Sequence, residues 1–228
     1  TGRLGWNVYR QLDAVIYAVP HELQLSRYLF DTPTDRGWVI PHGLDQDTLI
    51  ELGKPDKEGD YLVSVGTIAE RKNSIFLAQA ALRACVPILF LGSPYSERDA
   101  YFAGFNAMVD GSTIRRGGYV TEDEKYRLLR GARGFVLLSK YESGCVAAYE
   151  AAAAGLPMLV SNLPWATKTF GRLPGVMYAS PHSLTSATKS LAGFSRQAHR
   201  RPRPIFQVMS WADVARRYVA LYESVLKN

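Results

Sequence analysis

The 228-residue chain is long enough for one large α/β domain, or for a domain with a fragment of another. With 47% apolar and 21% charged residues it can bury a core, and no apolar run approaches the roughly 20 residues that a bilayer-spanning helix needs. Much of the net charge of +6 sits in one run, Arg196 to Arg203, which fits nucleic acid, an anionic membrane surface or a solvated loop with prolines.

The chain opens TGRLGW, without the basic and apolar regions of a signal peptide, and reads as a cut inside a longer protein. Residues 14–19 and 37–41 read as strands around a helix near 21–30. GKPDKEGD, residues 53–60, has the Gly, Pro and charge of a linker. Strands and helices then alternate: strand 61–66, helix 72–84, strand 87–92, helix near 96–109, strand 112–118, helix 122–132, strand 134–139, helix 144–155, strand 157–162, strand 175–179, helix 182–193. The strands are apolar on both faces, as parallel strands covered by helices are, so the expected fold is a Rossmann-like, doubly wound parallel sheet. A last helix, 210–226, carries Trp211, Val214, Tyr218, Leu221, Tyr222 and Val225 as one apolar stripe.

In such a sheet ligands bind outside the carboxyl ends of the strands, and the unusual residues fall there. Within the apolar helix 144–154, Glu150 is the one charge. A buried carboxylate needs donors or water, so Glu150 either accepts from a ligand such as ribose hydroxyls or pairs with a neighbouring Arg. Glu142 precedes the same helix, as a cap or as a ligand for sugar hydroxyls; Ser143, Gly144 and Cys145 offer amides at a helix N-terminus that favours anions. Arg71 and Lys72, on the turn after the first strand of the alternating region, suit a diphosphate or are a solvated pair. Gly66-Thr67 is followed by no G-x-G-x-x-G, and no P-loop is present, which argues against NAD and against a P-loop NTPase. Cys85 and Cys145 have no metal-ligand spacing, so zinc is not expected and a reduced, cytosolic setting is the simplest reading. Ser143 lacks the G-x-S-x-G setting of an esterase, and His42 in PHGLD shapes a turn with Gly43.

Together these segments resemble the retaining GT-B glycosyltransferases of family four, the group 1 glycosyltransferases. VIPHGLD (39–45) is similar to that family's V-I-x-N-G-V-D, with His42 in place of Asn. YLVSVGTIAERKN (61–73) is similar to its V-G-[RT]-x-x-x-[RK]-K-N, and ESGCVAAYEAAAAGLP matches its signature of two glutamates eight positions apart. ESGC stands where members usually have E-G-F-G. The resemblance implies that Glu150 holds the ribose and Glu142 faces the donor sugar. It implies that amides of Gly144, Cys145 and Val146 touch sugar and phosphate, that Gly66 and Thr67 border the diphosphate, and that Tyr119 and Val120 contact the base. It also implies that residues 1–52 are a remnant of an N-terminal acceptor domain plus linker, and 53–228 the C-terminal donor-binding domain. The apolar stripe of the closing helix is then expected to be exposed.

The leading function is transfer of a hexose, with a lean to mannose, from a nucleotide diphosphate sugar to a saccharide or lipid-linked acceptor, with retention. Arg71, Lys72 and Glu142 are the catalytic candidates, with no cofactor and no metal; nucleic acid is not an expected partner. The full-length protein is expected in the cytoplasm, with peripheral membrane contact. The alternatives are a donor-binding domain inactive alone, and a GT-B epimerase or phosphorylase.

Overall fold

A computed structural model describes residues 11–30, 33, 35–54, 56, 59–198 and 207–227. Among the described residues there are two parallel sheets. The first pairs β1 (Val15–Tyr17) with β2 (Gly37–Val39) around α1 (Pro20–Phe30). After α2 (Gln46–Leu52), a six-stranded sheet is built in order β5-β4-β3-β6-β7-β8 from β3 (Leu62–Val65), β4 (Ile88–Leu91), β5 (Ile114–Gly118), β6 (Gly134–Leu137), β7 (Met158–Ser161) and β8 (Val176–Ala179). The order runs outward to β5, returns to β3 and continues through β6, so the switch point lies between β3 and β6, where such a sheet opens a crevice.

The connecting helices are α3 (Ser74–Ala84), α4 (Ala100–Asn106), α5 (Glu122–Arg130), α6 (Val146–Ala153), α7 (Pro164–Phe170) and α8 (Leu184–Gln197). Strand residues alternate between two apolar layers. Leu62, Ile88, Phe90, Val136 and Leu159 join Leu77, Phe105 and Phe194 of α3, α4 and α8. Val63, Leu91, Phe135, Leu137, Met158 and Val160 join Leu129, Tyr149 and Phe170 of α5, α6 and α7. This two-sided burial is the expected doubly wound architecture. Two short helices, α2 and α7, were not anticipated. The Pro at the first turn of α7 was the readable signal for it.

The chain end returns to the first segment. The Leu44 amide donates to Met209 O at 2.9 Å and the Trp211 amide to Leu44 O at 3.0 Å. Gly43 lies so close to this crossing that a Cβ there would stand 2.8 Å from the Ser210 and Trp211 backbone, which explains that glycine better than a turn does. The closing helix α9 (Trp211–Leu226) starts with a full capping box between Ser210 and Asp213. Its stripe is only partly exposed, against expectation. Val214 and Leu221 are buried with Ile40, and Tyr218 and Val225 pack there too, because β1, β2 and their flanks cover that face; Trp211 and Tyr222 remain exposed. Residues 199–203 of the basic run lie outside the described residues, as do 55, 57 and 58 of the linker sequence. Among the described residues no helix is long and apolar enough to cross a membrane.

Candidate functional site

The carboxyl ends of three adjacent strands finish in glycine with positive φ: Gly66 at 152°, Gly92 at 131° and Gly118 at 66°. A side chain on Gly92 would collide with the Gly66 carbonyl, so the strand ends meet as bare backbone. Lys72 lies along this backbone, its Cε 3.1 Å from where a Cβ on Gly66 would stand. Thr67 is half-buried beside it.

Arg71 and Lys72 occupy a 3₁₀ turn, Glu70–Lys72, that ends in Asn73 with left-handed backbone (φ 60°). Asn tolerates this region better than most residues. Its buried side-chain amide donates to Leu138 O at 3.1 Å and Pro181 O at 3.0 Å, tying the turn after β3 to the ends of β6 and β8. The role of Asn73 was not read from sequence, though its place after the two cations was the available signal.

Glu142 converges on both cations. It is 5% exposed, with Oε2 3.1 Å from Arg71 Nη1 and Oε1 2.7 Å from Lys72 Nζ. The Lys72 contact is an ion pair rather than a directed hydrogen bond, and Oε1 has no hydrogen-bond donor. Arg71 also donates to Tyr141 O at 3.0 Å. Burial disfavours the Arg71 charge, but Glu142 and a hydrogen bond with Tyr95 outweigh this and raise its pKa. Arg71, Lys72 and Glu142, 70 residues apart in the chain, are thus one charged cluster rather than a solvated pair and a cap.

Beside it begins α6. Cys145 occupies the cap position without a side-chain cap, and Val146 N–H donates to Gly144 O at 2.9 Å. The N–H groups of Gly144, Cys145 and Ala147 have no backbone acceptor among the described residues. Burial first, and Glu142 second, push the Cys145 thiol up to about 12, so it stays protonated. Gly144 (φ 144°) is contacted by the His42 ring, which a side chain there would strike. Ser143 is exposed.

One turn into α6, Glu150 is 5% exposed and pairs with Lys125 Nζ at 2.7 Å; Lys125 also reaches Glu122 at 2.8 Å. Burial raises the Glu150 pKa despite Lys125. Burial also opposes the charge on Lys125, yet Glu122 and Glu150 hold its pKa above the usual value. The donor anticipated for Glu150 is therefore this lysine of α5 rather than an arginine. Tyr119 on the β5–α5 turn is 86% exposed, and Val120 packs against the α6-side layer; neither touches the Glu142 cluster through a hydrogen bond among the described residues.

A doubly wound parallel sheet with bare strand ends, two cations and an uncapped helix N-terminus is an arrangement suited to an anionic ligand. Comparison with known proteins narrows this. The family model for glycosyl transferases group 1 matches residues 111–191. The pneumococcal O-GlcNAc transferase GtfA in complex with UDP and GlcNAc superposes with TM-score 0.75 at 15% identity, over 98% of this chain and 47% of that one. A glycosyltransferase from Rickettsia africae gives 0.77 at 12% (98% and 67%), and Anabaena HepE in complex with UDP and glucose 0.72 at 13% (98% and 68%). The fold is that of GT-B glycosyltransferases, as the sequence resemblance implied, and the chain spans about half the length of the pneumococcal structure (47%). No curated protein matches the chain in sequence.

Proposed function

We propose that the chain is the donor-binding half of a retaining glycosyltransferase that takes a hexose from a nucleotide diphosphate sugar. The observation that carries this reading is the convergence of Arg71, Lys72 and Glu142 on the N-terminus of α6, with Glu150 further along the same helix. A helix rises about 1.5 Å per residue, so Glu150 lies about 6 Å beyond Val146, a separation that suits phosphate at one point and ribose at the next.

In this reading the diphosphate lies against Arg71, Lys72 and the free amides at Gly144 and Cys145. As the glycosidic bond breaks, negative charge grows on the leaving diphosphate, and these fixed donors stabilise it; losing one should cost roughly 2.7–4 kcal/mol in the barrier. The two cations supply the charge that a divalent metal would supply elsewhere. Glu142 holds the sugar, Glu150 the ribose hydroxyls, and Tyr119 with Val120 borders the base. The acceptor, a saccharide or a lipid-linked one, belongs with an N-terminal domain of which residues 1–52 are a remnant with its linker. The pneumococcal and Anabaena structures hold UDP, whereas the GT-x-x-x-RKN turn leans the donor of this chain towards GDP-mannose.

Calorimetry with GDP, UDP, ADP and their sugars tests the reading. A true partner binds and also stabilises the chain by RT ln(1 + [L]/Kd). Lys72→Ala and Glu150→Ala should each abolish most of that binding; wild-type affinity in both would sink the assignment.

A further inference from the structure

The loop from Leu138 to Cys145 carries Glu142 between β6 and α6, and it is held from two sides. On the sheet side, Ser139 O accepts from Ser161 Oγ at 2.7 Å and Trp165 Nε1 at 3.2 Å, and Lys140 N donates to Arg71 O at 2.9 Å. On the other side the contacts come from residues 18–42. Tyr141 Oη donates to Glu22 Oε1 at 2.8 Å, across 119 positions of sequence. Its ring packs edge-on against His21, with centroids 5.9 Å apart and planes at 75°. Gly144 abuts His42 and Ala18.

Tyr141 is therefore a two-ended tie. Its carbonyl accepts from Arg71, its hydroxyl reaches Glu22, and the next residue is Glu142. Burial, and secondly the Glu22 carboxylate, push the Tyr141 hydroxyl up to about 12, so it remains a donor across the working range of pH. A hydroxyl-to-carboxylate hydrogen bond is charge-assisted and directional, which suits it to fix one loop position. At the base of this contact α1 packs against α7, so Glu22 rides on a helix that is itself docked.

We propose that Glu22 and Tyr141 form a latch that positions Glu142, so that the first segment of the chain sets how the sugar part of the donor is held. Glu22 and Tyr141 are positioning residues, and their effect on sugar binding rests on the donor-binding reading above. The nucleotide part keeps Lys72 and Glu150, neither of which bonds to Tyr141 or Glu22 among the described residues, so losing the latch should loosen the sugar far more than the nucleoside diphosphate.

Two measurements on the full chain separate the latch from its consequence. Amide exchange of residues 140–145 in the free protein should speed up about five-fold or more in Tyr141→Phe and Glu22→Ala, with Glu22→Gln, which keeps an acceptor, close to wild type. Unchanged exchange in Tyr141→Phe overturns the latch, whatever binds. Calorimetry then compares GDP with GDP-mannose, and UDP with UDP-glucose. Tyr141→Phe and Glu22→Ala should each weaken the nucleotide sugar about five- to ten-fold and leave the nucleoside diphosphate within about two-fold, and the double variant should be no worse than either single one. Equal weakening of both ligands, or additive losses, overturns the positioning role. If the wild-type chain binds none of the four ligands, the donor-binding reading fails, and with it the assigned consequence, while the exchange result still decides the latch itself.

Discussion

Replacing Asn73 separates backbone conformation from side-chain hydrogen bonding at the turn that carries Arg71 and Lys72. Asn73→Ala removes two donated hydrogen bonds, to Leu138 O and Pro181 O, at a residue only 6% exposed. Leaving a buried acceptor unpaired costs about 1–3 kcal/mol each. Ala must also hold φ near 60°, which costs roughly 1–2 kcal/mol for a residue with a Cβ. The expected loss is roughly 3–8 kcal/mol, or about 6–30 °C in melting temperature for a domain of this size. Asn73→Gly loses the same hydrogen bonds without the backbone penalty, less the roughly 0.4–1 kcal/mol that Gly costs through the unfolded chain. It should therefore be the more stable of the two by up to about 1.6 kcal/mol. Urea unfolding monitored by circular dichroism gives both values. An Ala variant within about 0.5 kcal/mol of wild type would refute the clamp. An Ala variant more stable than the Gly variant would refute the backbone part.

Glu142→Gln changes the local charge of Arg71, Lys72 and Glu142 from +1 to +2, so nucleoside diphosphate should bind several-fold tighter with a steeper salt dependence, while the nucleotide sugar gains less; isothermal titration at two ionic strengths reads both. Lys125→Met strands the Glu150 carboxylate in an apolar setting and should destabilise by about 3–5 kcal/mol in thermal unfolding, and adding Glu150→Gln should restore much of that loss. Burial lowers the pKa of His21, whose ring nitrogens have no hydrogen-bond partner, although Glu22 pulls the other way. The unfolded chain then takes the proton first, so stability should fall as pH drops from the ordinary value of 6.5 towards the depressed one. His21→Leu should flatten the melting temperature between about pH 7 and 5.

Much of the fold was legible because the strands are short, apolar and bounded by turns, and parallel burial leaves that pattern in sequence. The two glutamates and the Arg71-Lys72 turn were legible as costly or special charges in their local settings. What sequence could not supply was pairing across distance. Lys125 lies 25 positions from Glu150, and nothing in α5 marks it, rather than Arg127 or Arg130, as the cation that reaches Glu150. Glu22 and Tyr141 are paired across 119 positions. Glu142 reads from sequence as a cap or a ligand, and its pairing with Arg71 and Lys72 is not legible there. The closing helix was read correctly as amphipathic, but which part of its stripe is covered depends on β1 and β2, whose packing is not local.

Ion pairs as buried as those of Glu142 and Glu150 are weak contributors to stability, because the cost of desolvating both partners offsets most of their attraction. The fold does not depend on them, since two continuous apolar layers cover the faces of the six-stranded sheet. At its carboxyl edge neutral groups already hold the loops: Asn73 binds the carbonyls of Leu138 and Pro181, and Ser161 with Trp165 binds that of Ser139. A chain selected for stability alone could have closed this edge with apolar side chains of similar volume. It instead places two carboxylates, each only 5% exposed, beside three lysine and arginine side chains around a helix end with free amides. This cost, more than any single contact, is what supports the proposal that the edge receives a ligand with charge and hydroxyls of its own.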